Sequence, residues 1–343
     1  MLTDYNDIAL NEKDLHKYKN KNILITGANG LIGGALADFF IFLNDNYNFN
    51  IQIQLSSLST NPERIKDIIN REDITYVSTD LSSGDGIIGF FDYCFYCSGY
   101  AQPAKFLDKP IETINLNTLG LFNTMKNIYE QNSSARVIFL SSSEVYASSK
   151  NSLAHKEDDD IVINQNNKRN FYILGKLGGE NVINYFREKG YKATSARVSL
   201  CYGPGVLKDD NRVLTELVKK GITQDFIQLY DDGSAVRRYL HISDFIKMIV
   251  KISLKGDKSV YNICGEEETT IYDLANLIGK FLGKEVKKGK SVHLVSKTAP
   301  KIVWNSLERY NDEFGEINFK SFEHGVKEFI TWYSEKFFKK LLT

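Results

Sequence analysis

The chain has 343 residues, 42% hydrophobic and 25% charged, with 43 Lys and Arg against 43 Asp and Glu. That length suggests about two domains around one main core, and exact charge balance lacks the electrostatic footprint of a dedicated nucleic-acid binder. No run of about 18 apolar residues occurs and Met1–Asn20 is polar, so neither a membrane span nor a secretory signal is expected. Four cysteines are too few for a disulfide framework and point to reduced thiols in a cytoplasmic protein.

Taken in order, Asn22–Thr26 (NILIT) reads as a buried strand and Leu31–Leu43 as an apolar-faced helix. Ile51–Leu55 is a second strand, Pro62–Asn70 a short helix, Thr75–Ser78 a third strand and Phe91–Cys97 a fourth. Thr113–Tyr129 reads as one long helix, Val137–Leu140 as a fifth strand, Tyr172–Lys189 as a further helix and Ala193–Leu200 as a sixth strand. Continuous apolar strands alternating with helices predict an α/β fold, a Rossmann-type doubly wound parallel sheet covered on both faces. Lys150–Lys168, with its DDD and QNN clusters, reads as an exposed loop. After Leu200 the alternation loosens through Gly203-Pro204-Gly205, a helix near Val213–Lys220 and loops around Asp231–Ser234. The expected organisation is an N-terminal extension over 1–20 and a dinucleotide-binding domain over 21–200, to which 236–262 returns. Residues 201–235 and 263–343 would form a smaller α/β substrate-binding region over the carboxyl ends of the strands. Whether Met1–Lys19 is a helix or an arm is open in the sequence.

Thr26-Gly27-Ala28-Asn29-Gly30-Leu31-Ile32-Gly33 lies between the first strand and the first helix. Glycines there permit a tight turn and let backbone amides approach a pyrophosphate at the helix N-terminus. Gly27, Asn29, Gly30, Leu31, Ile32 and Gly33 are therefore candidate cofactor contacts. Dinucleotide folds usually place Asp or Glu at the end of the second strand for the ribose 2′-hydroxyl. This chain has Ser56 and Ser57, and the nearest arginine is Arg64. The cofactor expected is NAD, with NADP left open by these residues. Asp80 is either an acceptor for the adenine amine or a helix-starting cap. Leu81 and Ser98, just past the third and fourth strands, complete the expected cofactor set.

Tyr172 and Lys176 form Tyr-x-x-x-Lys on one helical face. A nearby ammonium favours the phenolate, so Lys176 and the nicotinamide charge together are expected to draw the Tyr172 pKa down toward neutrality, where it can take a proton from an alcohol. Ser141-Ser142-Ser143-Glu144-Val145-Tyr146 supplies hydroxyls at the end of the fifth strand. The glycine turn, this Ser-Ser-Ser-Glu-Val-Tyr run and Tyr-x-x-x-Lys, in this order, resemble the extended short-chain dehydrogenase/reductase family of nucleotide-sugar epimerases and dehydratases. The resemblance spans about Asn22 to Ala299. It is nearest to UDP-glucuronate decarboxylases, through Pro103–Gly120, Arg169-x-x-Tyr172-x-x-Gly175-Lys176, Tyr202-Gly203-Pro204 and Asp232-Gly233-Ser234 with Arg237.

The resemblance implies Tyr172 as base, Lys176 as its ribose-holding partner, Ser142 as hydroxyl partner and Glu144 as a second acid/base near sugar C5. It places Asn117, Ser143, Arg212 and Arg237 on the substrate, the two arginines gripping a nucleotide diphosphate. The implied activity is NAD-dependent modification of a nucleotide sugar through a 4-keto intermediate, of epimerase or 4,6-dehydratase type. Decarboxylation of a UDP-hexuronate is the alternative in the same class, and a non-catalytic cofactor-binding protein the alternative in another. Two departures bear on the choice. Thr298 stands where decarboxylases carry an Arg for the substrate carboxylate, and Ser143 where glucose dehydratases carry Asp. The family also implies a homodimer through the Thr113–Tyr129 and Tyr172–Lys189 helices.

Cys94-x-x-Cys97 lies in a predicted strand and reads as buried structural thiols, as do Cys201 and Cys264. His241 reads as a packed or capping residue, and no metal site is expected. Asp158-Asp159-Asp160 reads as a solvated loop and Lys284–Lys290 as an exposed face.

Overall fold

The computed structural model describes residues 2–147, 154–163, 167–290 and 304–339. A helix Leu2–Asn11 (α1) and a 3-10 turn Lys13–Tyr18 lead into strand Asn22–Thr26 (β1) and helix Leu31–Tyr47 (α2). Strands Gln52–Ser57 (β2), Ile74–Ser78 (β3) and Tyr93–Tyr96 (β4) follow. Helices Pro103–Asp108 (α3), Pro110–Asn117 (α4) and Leu119–Gln131 (α5) then precede strand Arg136–Ser142 (β5). Helix Asn170–Glu188 (α6) leads to Lys192–Val198 (β6), Leu200–Tyr202 (β7), helix Val213–Thr223 (α7) and strand Phe226–Gln228 (β8). The last part runs through Val236–His241 (β9), Ile242–Lys255 (α8), Val260–Ile263 (β10), Glu268–Thr270 (β11), Ile271–Leu282 (α9) and Glu285–Lys287 (β12). Glu308–Phe314 (α10) and Phe322–Phe338 (α11) complete it.

Seven strands form one sheet in the order β10-β6-β5-β4-β1-β2-β3, every neighbouring pair parallel. The strand order reverses direction between β1 and β4, which opens a crevice at their carboxyl ends. Helix α2 shows why the strands are apolar on both faces. It is buried nearly all round, from Leu31 to Leu43, because it lies between β1 and β2 on one side and α8 and α1 on the other. The N-terminal residues thus form a helix closed onto the core; Tyr5 is buried and donates from its hydroxyl to Ala35 O at 3.2 Å. A second sheet, β11-β9-β7, and a two-stranded pair, β12-β8, make up the smaller region.

The local differences from expectation have identifiable causes. Pro62–Asn70 is a series of turns, with Ile65 N to Pro62 O, Ile68 N to Ile65 O and Arg71 N to Ile68 O at 3.2, 3.0 and 3.2 Å. The Arg64 amide is drawn instead to Asn29 Oδ1 at 2.9 Å. The expected helix over Thr113–Tyr129 is broken at Thr118, whose hydroxyl bonds back to Ile114 O at 2.8 Å while its backbone departs to φ −113°, ψ −77°. The expected strand Ala193–Leu200 divides at Ser199 between the first sheet and the second. Val236–His241, within the 236–262 segment expected in the dinucleotide domain, pairs with β7 and β11; only Val260–Ile263 joins the first sheet. In the expected loop, His155 forms a bridge with Asn305. No helix among the described residues is long and apolar enough to cross a membrane.

Candidate active site at the strand ends

At the crevice, Thr26 Oγ1 accepts the amides of Cys97 and Ser98, both at 3.1 Å, and joins the ends of β1 and β4. Gly27 has φ +64°, and a Cβ on it would fall 2.6 Å from Cys97 O. A Cβ on Gly33 would fall 2.5 Å from Gly27 O, so both positions require glycine. Helix α2 starts at Gly30, which offers no side-chain cap. The first-turn amides of Leu31, Ile32 and Gly33 are thereby left for an anion. Ala28 N is anchored on Ser56 O at 3.0 Å.

The rest of the expected cofactor set lines the neighbouring strand ends. Ser56 Oγ is buried with no protein partner, while Ser57 Oγ is 2.7 Å from Tyr76 OH. Arg64 is paired with Asp38, so its charge is already met. Asp80 caps the turn Leu81–Ser83, accepting Ser82 N at 2.9 Å and Ser82 Oγ at 2.6 Å, which is the capping alternative. Leu81 and Ser98 are buried. A glycine cradle, an uncapped helix N-terminus and an unpartnered buried hydroxyl at the end of β2 fit NAD.

The centre of the pocket is built by β5 and α6. Ser142 caps the turn Ser143–Tyr146, accepting Glu144 N at 3.2 Å, and is a hydrogen-bond partner of the Tyr172 phenol. Ser143 is half-buried beside it. Lys176, one helical turn beyond Tyr172, is buried; its Nζ donates to Leu140 O at 2.7 Å and stands 5.8 Å from the Tyr172 ring centre. Burial lowers the Lys176 ammonium to about 7, against weaker support from Cys97 and Glu180. The same burial, together with the Glu144 charge, holds the Tyr172 phenol well above its ordinary value. Ser142, Arg169 and Arg212 pull it the other way. The expected lowering by Lys176 is absent in this geometry: desolvation dominates, and the ammonium is directed to a main-chain carbonyl.

Asn117, expected on the substrate, is wholly buried between α4 and α6 and has no surface to offer a sugar. Its Nδ2 donates to Thr113 O at 2.6 Å and its Oδ1 has no protein partner. A Cβ on Gly99 would lie 3.3 Å from Lys176 Nζ and 3.8 Å from Asn117 Oδ1, so both groups border one gap on the lysine side.

On the opposite wall, Glu144 is held through both oxygens by Arg169, Nε to Oε2 at 3.0 Å and Nη2 to Oε1 at 2.5 Å. The Arg169 guanidinium lies 5.0 Å from the Phe106 ring centre, and Phe106 stacks on Tyr172 at 4.6 Å and 17°. Arg212 is clasped by Asp210, closest at 2.6 Å, and donates to Cys201 O at 3.0 Å. Arg237, on β9, is lowered by burial and feels the charges of Tyr239, Glu144 and Arg169. The structure thus brings Ser142, Glu144, Tyr172, Arg212 and Arg237 near enough to act on one another electrostatically. Sequence reasoning gave no role to Arg169 or Phe106. The one available signal was Arg169-x-x-Tyr172, a spacing that places both on one face of a helical turn.

Beneath the pocket, Ser141 Oγ donates to Glu180 at 2.5 Å, and Arg197 binds Glu180 at 2.7 Å and Tyr146 OH at 2.5 Å, a buried network that fixes the end of β5. Cys94, Cys201 and Cys264 are buried and Cys97 half-buried, all unpaired. His241 caps α8 by accepting Ser243 N at 3.3 Å. Among the described residues no group of three or more His, Cys, Asp or Glu is placed to hold a metal ion. Thr298 lies outside the described residues.

Residues 23–264 match the NAD dependent epimerase/dehydratase family. The chain is 25% identical over 279 residues to dTDP-4-dehydro-6-deoxy-D-allose reductase of a Streptomyces species, covering 78% of this chain and 83% of that protein. It is 25% identical over 273 residues to UDP-glucuronic acid decarboxylase 1 of Danio rerio, covering 78% of this chain and 61% of that protein. Its fold is similar to that of dTDP-glucose 4,6-dehydratase from Bacillus anthracis in complex with NAD, with TM-score 0.74 and 21% identity over 92% of this chain and 97% of that one. The UDP-glucuronic acid 4-epimerase of Bacillus cereus, in complex with UDP-glucuronic acid and NAD, gives TM-score 0.74 and 20% identity over 92% of this chain and all (100%) of that one.

Proposed function

We propose that this chain, which belongs to the NAD dependent epimerase/dehydratase family, oxidises the C4 hydroxyl of a nucleotide-activated hexose and works through the 4-keto sugar to epimerise it or to expel its C6 hydroxyl. When bound, NAD supplies the hydride acceptor and later the donor, so that no net oxidation results. Tyr172 takes the O4 proton, its anionic form favoured by the Ser142 hydrogen bond and by the fields of Arg169 and Arg212. Lys176, beside Tyr172 on the cofactor side, holds the ribose end. Arg212 and Arg237 meet the diphosphate, Arg212 by giving up part of its grip on Asp210. Glu144 takes the C5 proton that the 4-keto group acidifies.

The observation that carries this reading is a second proton-transfer group, the Glu144 carboxylate, near enough to the phenol for its charge to act on Tyr172. Simple inversion at C4 needs no second base. Mass spectrometry of products from UDP-, GDP-, CDP- and dTDP-sugars tests it: loss of water identifies dehydration, and an isomer of unchanged mass identifies epimerisation. A full panel returned unaltered, with no reduced nicotinamide formed, would overturn it. Release of carbon dioxide from a UDP-hexuronate would establish the second reading, decarboxylation, which the name of the zebrafish relative favours and Thr298 opposes.

The chain acts as a homodimer in the cytoplasm. Phe171, Leu174 and Tyr185 form one exposed stripe along α6, and Ile111 is exposed on the adjoining α4, an apolar surface suited to a second copy. The four unpaired cysteines suit a reducing compartment. Sedimentation equilibrium of the wild type and of Leu174→Glu tests the dimer.

A further inference from the structure

Resting on that reading, we propose that Arg169 is the positioning residue that splits the pocket's two proton transfers, serving the C5 step through Glu144 while leaving the C4 step to Tyr172. Its side chain is only 3% exposed, yet it sits in the pocket wall and not in the core network beneath. Two of its nitrogens fix both Glu144 oxygens. An ionised carboxylate has about four lone-pair sites, so one bond to each oxygen leaves a free site on each for an incoming proton. The fork therefore orients Glu144 without exhausting it. The third guanidinium nitrogen, Nη1, is buried without a partner. A purely structural ion pair would have this group satisfied; here it is left over beside the Glu144 fork.

Phe106 makes the link to the other base. It is interposed between Arg169 and Tyr172, stacked on the phenol ring and under the guanidinium. Arg169 thus touches each proton-transfer group differently: Glu144 directly by a bidentate bond, Tyr172 only through an aromatic spacer and a field that opposes that of Glu144. Removing the fork releases Glu144 to turn about its own side-chain bonds, whereas Tyr172 keeps its Ser142 partner and its Phe106 stack. The C5 transfer, in which a proton passes from carbon to a Glu144 oxygen and returns from it, should fail first. The C4 transfer, in which the O4 proton passes to Tyr172 and the hydride to NAD, should persist.

The test uses the full chain loaded with NAD, in deuterium oxide, with UDP-glucose, dTDP-glucose and UDP-glucuronate as probes. Single-turnover absorbance of reduced nicotinamide reports the C4 step, and deuterium at C5 of the recovered sugar reports the C5 step. For Arg169→Met, C5 exchange is expected to fall about 100-fold, the scale of a misplaced acid/base group, with reduced nicotinamide forming at a rate within about threefold of wild type. Arg169→Lys keeps the charge but loses the fork and should recover about a tenth of the exchange, which also covers the case in which the Met variant does not fold. Loss of both steps together in Arg169→Lys, or full C5 exchange in either variant, overturns the positioning role. Wild-type protein that reduces nicotinamide with none of these three sugars, nor with the full UDP-, GDP-, CDP- and dTDP-sugar panel, overturns the parent reading instead, and this one with it.

Discussion

The two ends of the crevice are prepared for their ligands in opposite ways. Around Gly27–Gly33 the contacts are made by main chain, and polar groups lack protein partners: the first-turn amides of α2 and the buried Ser56 hydroxyl. Around Tyr172 the charged side chains are already spent on one another, Arg169 on Glu144 and Arg212 on Asp210. A ligand at the first end adds bonds to a ready surface. One at the second must exchange bonds that exist, so affinity there depends on the difference between old and new partners and not on the number of cations. Such a site rejects molecules that bring too little charge to compensate the exchange.

The largest effect should come from Tyr172→Phe, which removes the only proposed acceptor of the O4 proton. Turnover is expected to fall about 10²–10⁴-fold while NAD still binds at the glycine turn, as read by kcat beside a cofactor titration. If both fall together, the two ends are not separable. Gly33→Ala attacks the opposite end: a Cβ 2.5 Å from Gly27 O must displace the turn, at about 1–3 kcal/mol. Calorimetry should show NAD binding weakened about 10–100-fold and UDP binding unchanged.

Two further experiments bear on the exchange of partners. Lys176 is lowered to about 7 in the folded chain, whereas unfolded lysine titrates at about 10.4. Between these values unfolding takes up a proton, so ligand-free stability rises with pH across about 7 to 10. Denaturant unfolding should show this slope in the wild type and a flatter one in Lys176→Met; a slope unchanged by the substitution removes the assignment. Asp210→Asn leaves a half-buried Arg212 without its carboxylate, which should cost about 1–2 kcal/mol of stability, and UDP should restore much of it in a thermal melt. Restoration equal to that of the wild type would mean that the diphosphate never meets Arg212. The smallest effect is expected for Ser56→Ala, a loss of about 1 kcal/mol or fivefold in NAD affinity, read by fluorescence titration.

The comparison also explains what could be read from the chain. The glycine turn was legible because its requirement is local: two positions without room for a Cβ, fixed by spacing between a strand and a helix. The alternation of apolar strands and helices was legible for a similar reason, since burial on both faces leaves a periodic record in Asn22–Thr26 and Leu31–Leu43. The substrate end obeys no period. Glu144 and Arg169 are brought together from opposite sides of a long loop, and the break at Thr118 turns on one hydroxyl bonding back to Ile114 O. Pro62–Asn70 has helical composition but closes in successive i to i+3 turns. The protonation of Tyr172 turns on burial as well as on charge, and a sequence shows that a lysine is near a phenol but not that both are out of water.

At two places the polypeptide crosses between the large sheet and the small region with almost no slack, and at a third, between β10 and β11, it does so through residues 264–267. Ser199 alone separates β6 from β7, its amide bonded to Ile263 O at 2.9 Å, and β9 passes into α8 directly at His241–Ile242. Neither crossing can serve as a hinge, because each is stitched into a strand or a helix on both sides. Those two crossings therefore hold the floor of the crevice in place, and admission of a ligand falls to the rim segments and to rotation of individual side chains.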